Sequence, residues 1–319
     1  MLNVQAVREP KAAGRKRRRH FGARYSWQLT LLALPGIIYY IIWHYIPMGG
    51  LVLAFKDFRY DKGIFGSPWS GFTNFKFFFA TDMWKTITGN TLMYAVLFLI
   101  TTTFFCVLIA MLLSELTSKR ATKVYQTSMF LPNFMSWVMV SFIVYLFLNK
   151  NAGILNQLGR AMGGRNIGWY QDAKYWPFIL VVVNLWKNVG MNALMYYAAL
   201  MGIDQELYEA AEIDGANKFK QAIHISLPHL VPLITILSIL AVGGFFRGDF
   251  GLFYNVPRNA GVLYEATDII DTFVYRGLMN MGDIGMTTAV GFFQSVMGLI
   301  LVVCANAVVN KINPENALF

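Results

Sequence analysis

The chain has 319 residues, 56% of them hydrophobic and only 14% charged, with 27 Lys and Arg against 17 Asp and Glu for a formal charge of +10. That charged share is about half the usual level of soluble domains, and with a mean hydropathy of +0.46 it excludes a water-soluble fold. The two cysteines, Cys106 and Cys304, both lie in apolar runs, which excludes a disulfide scaffold and a Cys-rich metal site.

Residues 1–24 carry eight Lys or Arg, including the run Arg15, Lys16, Arg17, Arg18 and Arg19. Basic residues beside a membrane helix stay on the cytosolic side, so the N-terminus is expected inside. The stretch reads as a topology signal in contact with anionic lipid, with no nucleic acid as partner. A cleaved signal peptide is not expected, because the first apolar run exceeds a signal core and no small-residue cleavage site follows.

Runs free of Asp, Glu, Lys and Arg then occupy 25–55, 86–114, 124–149, 221–246 and 284–310, and 175–203 is interrupted only by Lys187. Crossing a bilayer takes about 20 helical residues, whereas barrel strands would show short alternating segments. The prediction is an all-α membrane protein with six transmembrane helices. Loops 115–123 and 204–227 face the cytosol, loops 56–85, 150–174 and 247–283 face out, and the tail 312–319 returns to the cytosol. Trp27, Trp169, Tyr175 and Trp176 sit where interface anchors belong.

Polar residues inside spans are costly and turn toward protein or a wet cavity. The third span offers Asn133, Ser136 and Ser141. In the fourth, Asn184, Lys187, Asn188, Met191, Asn192 and Met195 follow one helical stripe. A Lys near mid-span costs about 2.5–3.5 kcal/mol on insertion scales, so the stripe is either a translocation path or an interhelical polar clamp. Its amides and ammonium suit sugar hydroxyls, and Lys187 would suit a carboxylate. The sixth span offers Gln294 among small residues suited to close helix packing.

Between the fourth and fifth spans, five acidic residues fall within 204–214, while Leu207, Ala210, Ala211 and Asp214 share a helical face. This predicts a short amphipathic helix, ended by Gly215, which is suited to the left-handed position after a helix. A second short helix, Asn217 to Ser226, is predicted to stop at Pro228. Two small helices at an angle form either a tie between spans or a knob on which another protein sits. The loop 247–283 carries Arg247, Asp249, Arg258, Asp268, Asp271 and Arg276, and 267–279 within it is amphipathic.

Glu209-Ala210-Ala211, Gly215, Ile225, Leu227 and Pro228 together resemble the cytosolic "EAA" signature of permease subunits in bacterial type I ABC importers. The segments 130–137, 186–190 and 271–277 resemble the branch of that family that takes up oligosaccharides and polysaccharides. The resemblance implies a MetI-like core over 85–311, preceded by one extra span in 25–84, in the cytoplasmic membrane. It makes Glu209, Ala210, Ala211, Gly215, Ile225, Leu227 and Pro228 the coupling loop, docked on a separate ATPase. It implies a second homologous permease, two ATPase subunits that hold ATP and Mg, and an extracytoplasmic carbohydrate-binding protein. The substrate path would be lined by Asn184, Lys187, Asn188, Asn192, Asn133, Ser136 and Gln294, and Arg258, Asp268, Asp271 and Arg276 would dock the binding protein. An acidic cargo such as alginate is the narrow expectation, with a neutral oligosaccharide as alternative.

No G-x-x-x-x-G-K-[ST] loop, no G-x-S-x-G and no H-E-x-x-H occurs, so neither ATP binding by that loop nor hydrolytic chemistry is expected in this chain, nor a metal or cofactor of its own. His20, His44, His224 and His229 have no partners at ligand spacing. A secondary transporter would need an intramembrane carboxylate, and the six runs contain none.

Overall fold

The computed structural model describes residues 23–80 and 82–312; nearly all of the predicted basic extension 1–24 and of the tail 312–319 lies outside them. Among the described residues the regular structure is helical, apart from one isolated antiparallel bridge between Lys56 and Trp69. Two compact units divide at Gly50 and Leu51. In the first, the helix Ala23–Tyr40 runs through Pro35 and continues as a π-turn at Ile41–Tyr45.

Among the described residues, five helices are long and apolar enough to cross a membrane: Trp27–Phe55, Met83–Ser114, Ala173–Leu200, Lys218–Gly243 and Ile284–Lys311. The pair Lys119–Phe134 and Trp137–Leu148 makes a sixth when counted as one. They are called the first to sixth spans in chain order.

The third span corrects the sequence reading, which treated 124–149 as one run. Its halves meet at 100°. Pro132 lacks an N–H and sits in a 3₁₀ turn, Leu131–Phe134, after which Met135 and Ser136 are extended. Ser136 then restarts the helix, its Oγ accepting from the Met139 N–H at 3.3 Å. An uncharged run reports an apolar surrounding and says nothing of straightness; proline and a serine cap decide that locally.

Small residues set how closely the spans pass. A Cβ on Gly190 would collide with the backbone carbonyl of Met129, and one on Gly251 with the Trp137 indole. Where the fifth and sixth spans cross, the Cβ position of Gly298 is 3.2 Å from the Gly243 carbonyl. One apolar cluster joins Cys106, Ala110, Ala193, Tyr196, Leu200 and Leu230 of the second, fourth and fifth spans. Another joins Tyr94, Val140, Trp176, Leu180, Phe253 and Ile269.

A second correction concerns Asn217–Ser226. No separate helix ends at Pro228. Lys218–Gln221 passes through a π-turn, Ala222–Ser226, directly into Leu227–Gly243. The wider turn bonds the Leu227 N–H to the Ala222 carbonyl, and this local widening admits a proline ring where a regular α-turn would clash.

Candidate functional site

The loop after the fourth span is built as a rigid knob. Asp204 caps the helix Gln205–Ile213 through its carboxylate, which accepts from the Glu206 N–H at 3.2 Å. Gly215 takes φ +77°, and the Ala216 N–H reaches the Ala211 carbonyl at 2.9 Å while the Gly215 N–H reaches Glu212 at 3.0 Å. This is a Schellman closure. Lys218 donates to Glu212 at 2.6 Å, Tyr208 and Ser226 share a 2.8 Å hydroxyl bond, and Gln221 donates to the Ala216 carbonyl at 3.1 Å. The Lys218 ammonium, through that hydrogen bond and its charge, holds the Glu212 carboxyl below its ordinary range.

The knob leaves apolar and acidic side chains uncovered, together with Lys218 and Lys220. Ile213 is 87% exposed and Phe219 73%, with Glu209 and Ala210 also exposed and Ala211 half-buried. Ile225 is half-buried and Leu227 and Pro228 are exposed, on the opening turns of the fifth span rather than on the knob.

The fourth-span stripe divides. Lys187, 7% exposed, donates to the Asn133 carbonyl at 2.8 Å and the Pro132 carbonyl at 3.5 Å, and its ammonium lies 5.1 Å from the Trp137 ring centre. Asn133 donates to Asn188 at 3.3 Å, and Asn188 to Asn184 at 2.9 Å. Lys187 and the Ser136 cap satisfy the backbone at the break in the third span, where an unpaired carbonyl away from water would cost several kcal/mol, while the three asparagines bond one another side chain to side chain. Asn192 turns elsewhere, onto a cleft between the second, fourth and fifth spans that also includes Thr102, Thr103 and Arg247.

Gln294 is also inward. It donates to the Phe246 carbonyl and, at 3.2 Å, to both oxygens of Asp271, while the Gly248 N–H donates to Asp271 at 2.7 Å. Burial raises the Asp271 carboxyl above its usual range, and these donors, with the charge of Arg247, oppose that rise. Asp268 pairs with Arg276, their side chains 6% and 14% exposed, and Thr272 donates to Asp268 at 2.6 Å. Arg276 also lies 4.0 Å from the Tyr264 ring centre. Of the four residues expected to receive a binding protein, Asp268, Asp271 and Arg276 thus tie the 247–283 segment to itself. Only Arg258 is exposed, over the Tyr145 ring at 4.2 Å.

In the sequence Arg247 reads only as a loop charge; its place directly after the uncharged run 221–246 is the available signal. Among the described residues no group of three or more His, Cys, Asp or Glu side chains could hold a metal.

A bundle of apolar helices with a capped loop between its fourth and fifth spans is the architecture of a polytopic membrane protein. The model of the binding-protein-dependent transport system inner membrane component family matches residues 103–315, and the chain belongs to that family: it is a permease subunit of an ABC importer. It is 36% identical to the protein LplB of Bacillus subtilis, over 92% of this chain and 91% of that one. It is 34% identical to the polygalacturonan/rhamnogalacturonan transport system permease protein YteP of the same organism, over 90% and 89%. A chain of a crystallised bacterial ABC transporter involved in importing the acidic polysaccharide alginate superposes with a TM-score of 0.83 at 31% identity, covering 91% of this chain and 97% of that one.

Proposed function

We propose that this permease carries an acidic, uronate-bearing oligo- or polysaccharide across the cytoplasmic membrane, driven by a separate ATPase docked on the 204–228 loop. The observation that carries the cargo reading is the likeness to the alginate importer across 91% of the chain at 31% identity. The relative named for polygalacturonan and rhamnogalacturonan adds support, since polygalacturonan is a polymer of uronic acid. Both termini lie in the cytosol. The working assembly contains a second homologous permease, two ATPase subunits that bind ATP and Mg, and an extracytoplasmic carbohydrate-binding protein. A neutral oligosaccharide is the second reading, favoured by the 29% identity to an arabinooligosaccharide permease of Halalkalibacterium halodurans over 82% of this chain.

In this account closure of the ATPases on ATP pushes the knob formed by Gln205–Ile213. The Schellman turn and the Lys218–Glu212 contact keep the knob from yielding, so displacement passes into the fourth and fifth spans. Uptake by cells carrying the complete transporter tests the cargo: oligouronides should enter and compete with one another, and entry of neutral oligosaccharides alone would refute the acidic reading. Copurification tests the coupling, since an ATPase should accompany the permease from detergent extracts.

A further inference from the structure

Arg247 stands where the chain leaves the fifth span through the turn at 244–246, its own N–H closing that turn on the Gly244 carbonyl at 2.7 Å. Its side chain is exposed and lines a cleft of about 380 Å³ whose other polar members include Thr102, Thr103 and Asn192, with Phe98 and Phe245 on the walls. The volume lies in the range of about 300–1,000 Å³ common for ligand sites, which pair mostly apolar walls with a few convergent polar groups.

The other cations nearby are already engaged. Lys187 is spent on the Asn133 and Pro132 carbonyls, Arg276 on Asp268, and Arg258 lies on the Tyr145 ring. Asp249, two residues along the chain, and Asp271, on which the charge of Arg247 acts, are engaged as well. The Trp137 indole N–H donates to Asp249 at 2.8 Å, and Asp271 accepts from Gly248 and Gln294. Arg247 forms no ion pair with either, though its charge still acts on Asp271, and the side chain that carries its planar fork of donors lines the cleft. That fork matches a carboxylate in a bidentate way that a point charge cannot. Threonine hydroxyls and an asparagine amide can both donate and accept, as sugar hydroxyls require, and aromatic walls suit the C–H faces of a sugar ring.

We propose that Arg247 is the residue by which this cleft selects carboxylate-bearing sugars, with Thr102, Thr103 and Asn192 holding the ring hydroxyls. The assignment rests on the acidic-cargo reading above, and the experiment separates the two. The complete transporter is offered an oligouronide and the same oligosaccharide with its carboxyls reduced to alcohols. Wild-type uptake of the reduced chain alone would overturn the cargo reading and this assignment together. With uronide uptake present, Arg247→Gln should lower the preference for the carboxylated chain by about tenfold, as loss of a hydrogen bond between charged groups requires. The change should fall mainly on KM, and Arg247→Lys should recover part of it. An equal loss for both cargoes, or an unchanged preference, would overturn the assignment of Arg247 while leaving the acidic cargo standing.

Discussion

At the scale of single residues, Lys187 shows how far a charge can be read from its position. Its cost inside an apolar run was legible, and so was the need for a partner; which partner was not, because the carbonyls of Pro132 and Asn133 become acceptors only once the third span breaks. Replacing Lys187 with Met should therefore orphan the Asn133 carbonyl, while that of Pro132 keeps the Met135 N–H at 3.2 Å. The expected cost is about 1–3 kcal/mol, read as a lower unfolding temperature of the purified permease, with uptake of acidic and neutral sugars falling by the same factor. A loss confined to uronides would return Lys187 to the substrate path. Asp271 yields a pH signature. Its carboxyl is raised by burial, so the unfolded chain ionises first, and the native state loses stability as pH climbs from the ordinary carboxyl range through the raised value. Asp271→Asn, which keeps an oxygen for the Gly248 N–H, escapes that loss. Thermal unfolding should show the variant gaining on the wild type as pH rises from about 4 to 7, and a gap that is flat or reversed would contradict the sign.

At the scale of elements, the spans were legible because hydrocarbon admits few charges, and each uncharged run of the sequence found its helix or broken pair. Gly215 was legible too: the end of an amphipathic stripe followed by glycine identified the left-handed residue, which has φ +77°. The path through Pro228 was not, because a π-turn leaves no mark in composition. The glycine contacts were equally silent, since Gly190 and Gly291 look alike in sequence, yet only Gly190 abuts a backbone carbonyl. Two outcomes follow. Gly215→Ala has open space around it, so its cost is conformational alone, about 1–2 kcal/mol for a left-handed residue with a Cβ. It should leave insertion intact while lowering cargo-stimulated ATP hydrolysis in the assembled transporter. Gly190→Val instead forces the third and fourth spans apart, an overpacking worth about 1–3 kcal/mol, and should lower thermal stability in detergent whichever cargo is present.

At the scale of the whole molecule, the knob and the cleft are joined by the same two spans, the fourth leading into the knob and the fifth leaving it. Pressure on Gln205–Ile213 therefore has a route to Asn192 across the short turn at 201–204 and along the fourth span, and a route to Arg247 across the Gly215 closure, the π-turn at Ala222–Ser226, the fifth span and the turn at 244–246. The knob helix is nine residues, about 14 Å at 1.5 Å per residue, and offers far less than the roughly 800 Å² per partner of a standard stable interface. A single permease should hold the ATPase only weakly, and firm copurification should need the second permease with its own knob. Cysteine cross-linking tests the contact directly. In a Cys304→Ser background, because Cys304 is exposed while Cys106 is buried, a cysteine at the exposed Ala210 should bond to an ATPase cysteine in native membranes. Yield should change when ATP closes the motor. Half-buried Ala211 should react less, and a cysteine at Phe65, 87% exposed in the loop before the second span, should not react with the ATPase at all. Equal yields at Ala210 and Phe65 would mean that the knob is not where the motor pushes.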